Sequence, residues 1–275
     1  MSALFINALT FAQNPLFKVN VADSVIKNLV DRNSHIFISS LNGKIAVDPY
    51  EYSDCESLVS VVIEEGIEEI GEYAFLGCRN LKSISLPKTL LKIGEGAFRE
   101  CESLETLIIP DGVAVIPPYM CSWDSSLTKV VLPESVVDIS RNAFAYCYSL
   151  EEINLPPGLK HIGSNAFSFC RSLKEIELGD EMDELESYSF SDCENLRKAV
   201  LPGNSKMLGE LIFTGCEVLE EIMCMSEIPP SFDCDSPLFD PMETNLWDKC
   251  KLIIPEASRE LYKTAPGWIF FFEKF

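Results

Sequence analysis

CRNLKSISLPKTLLKIGEGAFREC, residues 78–101, is one complete unit of a repeat that begins again at its last residue, Cys101. The unit has the form C-x-x-L-x-x-I-x-L-P-x-x-L-x-x-I-x-x-x-A-F-x-x-C. A fixed period between about 20 and 50 residues is typical of a solenoid, in which every repeat forms one coil of a stack. One leucine of the unit recurs every 23 residues without a slip, as Leu58, Leu81, Leu104, Leu127, Leu150, Leu173, Leu196 and Leu219.

Alternation within the unit predicts a short strand. Ile84 and Leu86 lie two residues apart and face the same side of an extended chain, while Ser83 and Ser85 face the other side. Proline has no N–H to donate to a sheet, so Pro87 and its equivalents should end the strand. A coil of 23 residues has too little apolar surface to fold alone, and therefore its neighbours must cover it.

The second half of the unit predicts a turn and a central column of aromatic rings. The glycine after the second apolar segment, Gly94 in this unit, suits a tight turn. The pair Ala97–Phe98 follows in a short helical turn or loop, and its phenylalanine should fill the middle of the coil. Because the coils are stacked, equivalent phenylalanine rings should lie one above another.

The repeat divides the chain into three segments. Residues 1–31 lack it and carry apolar residues at helical spacing, which predicts a helical N-terminal cap. Residues 32–224 form the solenoid, with seven clear repeats within 55–215. Residues 225–275 should form a C-terminal cap with a last strand and a short helix, because the exposed end of a solenoid would otherwise aggregate.

Two coils depart from the consensus. The first repeat is degraded, and alignment on the 23-residue period places three of its residues at the positions of Ile84, Ile93 and Phe98, namely Ile38, Val47 and Tyr52. The coil 101–123 has Met120–Cys121 in place of Ala-Phe and is followed by Asp124 in place of cysteine. This irregularity is either ordinary drift of the repeat or the mark of a contact made by an exposed Trp123.

The composition excludes two classes of partner. The chain has 43 acidic and 22 basic residues and a formal net charge of −21. Binding of nucleic acid or of an anionic membrane surface requires a basic footprint, so neither is expected. The acid excess favours solubility of an extended surface, with a cation or a basic partner as the alternative.

The sequence leaves the location open. No apolar run reaches the roughly 20 residues of a membrane-spanning helix, so no insertion into a membrane is expected. The segment 3–12, ALFINALTFA, is either the apolar part of a cleaved signal peptide or part of a packed cap. No lysine or arginine precedes Lys18, so the basic start that is typical of a signal peptide is missing.

The cysteines predict buried thiols rather than a disulfide scaffold. Equivalent cysteines of adjacent coils should lie side by side, about 4.8 Å apart, whereas a disulfide needs two side chains that point towards each other. No C-x-x-C pair occurs, which argues against a zinc site. Seven of the eleven cysteines share one position of the repeat: Cys55, Cys78, Cys101, Cys147, Cys170, Cys193 and Cys216.

No catalytic residue, metal site or cofactor is predicted. The two histidines, His35 and His161, have no nucleophile at a recognisable spacing, and no glycine-rich phosphate motif occurs. Asp233, Asp235 and Asp240 resemble a cation loop but lack the spacing of an EF-hand. The sequence therefore favours a binding protein over an enzyme.

The exposed side of the repeated strand is the candidate binding surface, because curved solenoids present such rows to partners. Residues beside the inward isoleucine and leucine point outwards along one sheet, and the alternative is a plain solvated face. The predicted ligand-binding residues are Thr106, Ile108, Lys129, Val131, Glu152, Asn154, Glu175 and Glu177.

The repeat C-x-x-L-x-x-I-x-L-P-x-x-L-x-x-I-x-x-x-A-F resembles the BspA-like leucine-rich repeats, over residues 32–224. The resemblance implies an α/β-type solenoid, mostly β, wound as a right-handed superhelix of 23-residue coils. It also implies a non-enzymatic adhesion module, on the cell surface or secreted, which binds a protein or glycan partner such as host matrix. The alternative is an intracellular protein-interaction scaffold in the cytoplasm, and the oligomeric state is left open.

Overall fold

The protein is described by a computed structural model over residues 34–40, 43–204, 207–232, 238–240 and 248–272. The predicted N-terminal cap, 1–31, lies outside the described residues. The described residues form a β-solenoid of about eight coils with a spacing of about 23 residues and little helix. The prediction of a mostly β solenoid is therefore confirmed.

Each coil contributes one strand to the side that we call the strand face, and these strands are parallel and in register. Backbone pairing joins equivalent residues 23 apart, for example Thr106 with Lys129. The strands are β1 His35–Ile38, β3 Ser60–Ile63, β5 Ser83–Ser85, β7 Thr106–Ile108, β9 Lys129–Val131, β11 Glu152–Ile153, β13 Glu175–Glu177, β15 Lys198–Leu201, β17 Glu221–Cys224 and β19 Lys251–Ile253.

A second side of the coil, the second face, carries two-residue strands. They follow the proline turn and are also parallel and in register. Their first residue faces outwards and their second is buried, except in β18, where the second residue is partly buried. They are β2 Ala46–Val47, β4 Glu69–Ile70, β6 Lys92–Ile93, β8 Val115–Ile116, β10 Asp138–Ile139, β12 His161–Ile162, β14 Glu184–Leu185, β16 Met207–Leu208 and β18 Ser231–Phe232.

The third side, the turn face, contains the Ala-Phe pairs and joins the coils by its own hydrogen bonds. The N–H of Tyr52 donates to the carbonyl of Ala74 at 2.8 Å, and the next residue, Phe75, donates to the carbonyl of Ala97 at 2.8 Å. One peptide group therefore accepts from the preceding coil and donates to the following one. Two further chains of this kind run beside it, through Tyr73 and through Gly77.

Left-handed backbone conformations produce this arrangement. Two residues of each coil have positive φ, four positions apart, as at Tyr119 with φ 56° and Trp123 with φ 71°. A left-handed residue rotates the peptide groups beside it, which aligns them with the stacking direction. An L-residue in this region costs about 1–2 kcal/mol, so the hydrogen bonds between coils must offset that cost.

The interior contains the predicted column of aromatic rings. Phe144, Phe167 and Phe190 are fully buried, and consecutive rings stack with centroids 5.3 and 5.1 Å apart. The column also includes Tyr52, which stacks on Phe75 at 5.2 Å. These contacts lie between coils, as expected if each coil is stabilised mainly by its neighbours.

Cysteine thiols form a second column. The ten described cysteines are free and buried, as predicted. Six of them place Sγ within 3.1–3.3 Å of a backbone carbonyl in the preceding coil: Cys78, Cys101, Cys147, Cys170, Cys193 and Cys216. Each of these thiols donates to an aligned carbonyl, so it supplies a hydrogen bond as well as apolar volume.

Both sheets are interrupted at the same level. The strand face consists of three segments, β1-β3-β5, β7-β9-β11 and β13-β15-β17-β19. The second face consists of two segments, β2-β4-β6 and β8-β10-β12-β14-β16-β18. Pairing therefore stops on both faces between the coils 78–100 and 101–123. The turn face continues across this level, where Phe98 donates to Met120 at 2.9 Å.

One prediction about an individual position was wrong. Ile38 pairs with Ile63, not with Val61, so the strand of the first repeat is shifted by two residues. A shift of two leaves the inward face unchanged, and Ile38 stays buried. Gly163, an equivalent of Gly94, does not have positive φ, yet an added Cβ would lie 2.5 Å from the backbone nitrogen of Arg141. Glycine is needed there for close stacking of the coils.

The coils continue beyond Cys224, where the sequence repeat ends. β18 pairs with β16, and β19 pairs with β17 through residues 30 positions apart, as in Glu221 with Lys251. A 3-10 helix Glu256–Ser258, helix α1 Arg259–Tyr262 and a 3-10 helix Ile269–Phe271 follow. Trp268 is fully buried, and its indole N–H donates to the carbonyl of Pro230 at 2.8 Å. That 225–275 acts as a cap remains a prediction.

Candidate binding surface

The structure brings three of the predicted residues into one row. Thr106, Lys129 and Glu152 are paired in register on β7, β9 and β11, and all three are exposed. Lys129 Nζ lies 3.6 Å from Glu152 Oε2. An exposed ion pair of this kind contributes about 0–1 kcal/mol, so both side chains can exchange this contact for one with a partner at little cost.

A parallel row on the same face is apolar. Ile108 is 62% exposed, and its neighbour in register, Val131, is half-buried. A cavity of about 610 Å³ lies beside Ile108, between β5 and β7, where the sheet is interrupted. An exposed isoleucine beside a cavity is suited to apolar contact with a partner at this end of the row.

Asn154 has a structural contact. Its Oδ1 accepts from the N–H of Leu132 at 3.0 Å, and its Nδ2 donates to the carbonyl of Leu132 at 2.7 Å. The side-chain amide replaces the backbone pairing that ends with Ile153 in β11. Asn154 is therefore less available to a ligand than the sequence suggested.

Glu175 and Glu177 are exposed but lie in a different sheet segment. They are on β13, which pairs with β15 and not with β11. Glu175 is in register with Lys198, and Glu177 with Val200. The single outward sheet expected from the sequence is thus divided between Glu152 and Glu175.

An aromatic cluster at the edge of the turn face was only partly anticipated. Trp123 is 40% exposed and stacks on Tyr146 with centroids 4.0 Å apart, and Tyr146 stacks on Phe169 at 4.8 Å. Arg171 lies over the Tyr148 ring at 4.9 Å. The signal was present in the sequence, since Trp123, Tyr146 and Phe169 occur 23 residues apart, each just before the cysteine position.

A polar cluster on the second face was not predicted. His161 Nδ1 lies 2.7 Å from Asp138 Oδ2, and His161 Nε2 lies 2.9 Å from Glu186 Oε1. Partial burial lowers the pKa of His161, but the hydrogen bonds to Glu186 and Asp138 outweigh it and raise the pKa above its ordinary value. Glu186 Oε2 also accepts from the N–H of Ser164 at 2.8 Å.

Asp124 is a buried carboxyl in the cysteine column. It is fully buried, and its Oδ2 has no hydrogen-bond partner among the described residues. Burial raises the pKa of Asp124 well above its ordinary value, against the opposing hydrogen bond from the Cys101 N–H. Burial also raises the pKa of the neighbouring thiols Cys121 and Cys147, which makes them poor nucleophiles.

These features define the class of protein as a leucine-rich-repeat solenoid with outward-facing strand rows. The family model described as "BspA type Leucine rich repeat region" matches in six copies, over residues 45–137 and 114–230. The chain belongs to this family. Leucine-rich repeat families are interaction modules that bind protein partners and are generally non-catalytic.

The solved structures that match this chain include bacterial repeat proteins. A leucine-rich repeat protein from Bacteroides ovatus is 21% identical, with a TM-score of 0.54, over 81% of this chain and 66% of that chain. The Treponema pallidum leucine-rich repeat protein is 27% identical, with a TM-score of 0.44, over 68% and 84%. A leucine-rich cell surface protein from Faecalibacterium prausnitzii is 21% identical, with a TM-score of 0.39, over 85% and 82%. No curated protein is significantly similar.

Among the described residues, no helix combines the length and the apolar character needed to span a membrane. Helix α1, Arg259–Tyr262, has four residues. BspA-type repeat proteins are often surface proteins.

Proposed function

We propose that this chain is a non-enzymatic adhesion module of the cell surface or of the secreted fraction, and that it binds a protein or glycan partner through the strand face. The residues that carry the proposal are Thr106, Ile108, Lys129, Val131, Glu152, Glu175 and Glu177. Asn154 supports the surface by holding Leu132 in place.

The exposure of Ile108 is the single observation that carries most weight. It is 62% exposed on β7, the edge strand of the segment β7-β9-β11, beside a cavity of about 610 Å³. Burying a side chain of this size stabilises a complex by about 1.5–3 kcal/mol. Apolar anchors surrounded by polar residues are typical of the centre of a protein interface.

The acidic residues of the strand face indicate the charge of the expected partner. Glu152 and Glu175 follow Lys129 along the face, and Glu177 adds a third exposed carboxylate. Complementary charge accelerates association and selects partners. A protein partner with a basic patch and an apolar side chain that enters the cavity fits this surface best.

A binding screen tests the proposal. Purified chain is screened against matrix proteins and mucosal glycans, and the affinity of each ligand is measured again with the triple variant Glu152→Lys, Glu175→Lys, Glu177→Lys and with Ile108→Asp. We expect at least a tenfold loss of affinity for both. The matched control changes the same charge in exposed bends and turns outside the sheet: Glu134→Lys, Glu181→Lys and Glu227→Lys.

The outcome is decided by the comparison between the two triple variants. Equal loss in both means that only the net charge matters, and unchanged affinity in Ile108→Asp moves the site away from the strand face. Either result contradicts the proposal.

An intracellular scaffold is the second candidate, and one observation favours it. The ten described cysteines are free thiols, and oxidising compartments usually convert structural cysteines to disulfides. Fractionation of the native cells with an antibody to this chain distinguishes the two candidates.

A further inference from the structure

Three potential ligand groups converge on the second face from adjacent coils. His161 on β12 is in register with Glu184 on β14, and Glu186 follows two residues later. One ligand atom from each of His161, Glu184 and Glu186 lies within 4.8 Å of the other two. An imidazole nitrogen with two carboxylate oxygens is a donor set that suits Zn²⁺ and related divalent transition metals.

We propose that His161, Glu184 and Glu186 form a binding site for a divalent transition metal, of which Zn²⁺ is the best match. His161 supplies Nε2, and each glutamate supplies a carboxylate oxygen. Water completes the coordination. Calcium and magnesium prefer sites made only of oxygen, so the imidazole selects against them.

The surroundings of His161 orient it for this role. Asp138 Oδ2 accepts from Nδ1–H at 2.7 Å, which leaves Nε2 facing Glu186. The other oxygen of Asp138 accepts from Ser140 Oγ at 2.8 Å, so the carboxylate is itself held. A carboxylate–histidine pair of this kind accompanies most histidine ligands in metal sites, where it fixes the tautomer and raises the basicity of the ligand.

Glu186 is also positioned before a metal binds. The N–H of Ser164 donates to Oε2 at 2.8 Å, and the Ser164 hydroxyl contacts the same oxygen. Oε1 remains directed at His161 Nε2. Metal binding would replace the hydrogen between Nε2 and Oε1 and would release one proton, so two of the three ligands need little rearrangement.

The site is accessible. A cavity of about 180 Å³ adjoins it, lined in part by Glu184, Glu186, Ser187 and Met207. The side chain of His161 is 27% exposed, so an ion can enter from solvent. The described thiols do not compete, because all ten are buried.

Proton NMR of the imidazole groups gives a direct test, since the chain has only two histidines. Zn²⁺ is added to full-length chain freed of metal with a chelator, with Mg²⁺ in excess. We expect the His161 signals to shift and saturate at one Zn²⁺ per chain, while those of His35, which contacts Ser60 on the strand face, stay unchanged.

Calorimetry with variants separates the ligands from their support. We expect His161→Gln and Glu184→Gln to abolish saturable Zn²⁺ binding, and Asp138→Asn to weaken it about 10- to 100-fold. Glu134→Gln, in an exposed turn away from the site, is the matched control and should bind Zn²⁺ as the parent does. A Co²⁺ complex should lack the charge-transfer absorption of a thiolate ligand.

Zn²⁺ binding that persists in both His161→Gln and Glu184→Gln, or the absence of saturable binding in the parent, would overturn the assignment. Equal shifts of both histidines would indicate nonspecific binding and would also contradict it.

Discussion

Asp124 Oδ1 accepts a hydrogen bond from the backbone N–H of Cys101, at 2.8 Å, across the boundary between two coils. Asp124 stands where seven other coils have cysteine, and its carboxyl is fully buried. In those coils the thiol fills the position without a charge. The protein therefore keeps an ionisable group inside its column of thiols, next to the coil that lacks the phenylalanine.

Replacing Asp124 with cysteine restores the repeat and should stabilise the fold at high pH. The pKa of Asp124 is raised on folding, so its contribution to stability is fully present below the unfolded pKa of about 3.9 and is lost as the pH rises through the folded pKa. We expect Asp124→Cys to exceed the parent in free energy of unfolding by about 1–3 kcal/mol near pH 8, and by less near pH 4.

Urea denaturation at several pH values measures this difference. Asp183→Asn removes an exposed carboxylate outside the column of thiols and serves as the control. A constant difference between Asp124→Cys and the parent would show that the carboxyl is not desolvated.

Phe144→Ala should cost about 3–5 kcal/mol of unfolding free energy, because it opens a cavity between two coils. Phe144 is fully buried and stacks on Phe167 at 5.3 Å. Leu261→Ala, at an exposed helical position, should cost less than about 0.5 kcal/mol. A cost below about 1 kcal/mol for Phe144→Ala would mean that the ring is not part of the column's core.

The thiols should be unreactive in the folded protein. Burial removes the ten described cysteines from solvent and raises the pKa of Cys147, Cys170 and Cys193 in the column of thiols. In the variant Cys234→Ser, which removes the one cysteine outside the described residues, we expect almost no alkylation before unfolding and ten modified thiols after it. Mass spectrometry counts them. If fewer than ten thiols are modified in the unfolded, unreduced protein, disulfides are present and the column of free thiols is contradicted.

Asn154→Ala should cost about 1–3 kcal/mol, because the N–H and the carbonyl of buried Leu132 both lose their partner. Asn154→Asp keeps the acceptor and loses the donor, so it should fall between the parent and the alanine variant. Thr106→Ser, an exposed change on the same face, should be nearly neutral. Thermal unfolding ranks the four proteins, and a neutral Asn154→Ala would show that water satisfies Leu132.

The architecture could be predicted from the sequence because the repeated apolar positions are themselves the core residues. Leu81 and its equivalents occur 23 residues apart, and in-register stacking follows from a constant period. The buried phenylalanines and free thiols follow from the same period. The shifted pairing of Ile38 was not predicted because the strands of the first two coils pair through residues 25 positions apart instead of 23. A shift of two residues does not change which side chains face inwards, so the alternation of apolar and polar residues does not reveal it.

Other features, such as the positive φ values, could not be predicted from residue types. Tyr73 and Trp123 have positive φ without being glycine or asparagine, so their conformation is imposed by hydrogen bonds between coils. The cluster around His161 was predictable in part, since Asp138, His161 and Glu184 are separated by 23 residues and therefore lie side by side.

The three chains of peptide groups along the turn face give that face an electrical polarity. Each N–H points towards the following coil, as from Tyr52 to Ala74, whereas in an α-helix each N–H points towards the N-terminus and makes that end positive. The sense is therefore opposite along these three chains, which place partial positive charge at the C-terminal end of the turn face. On the second face, backbone N–H groups donate towards the preceding coil, as from Gly94 to Ile70, so this polarity belongs to the turn face alone.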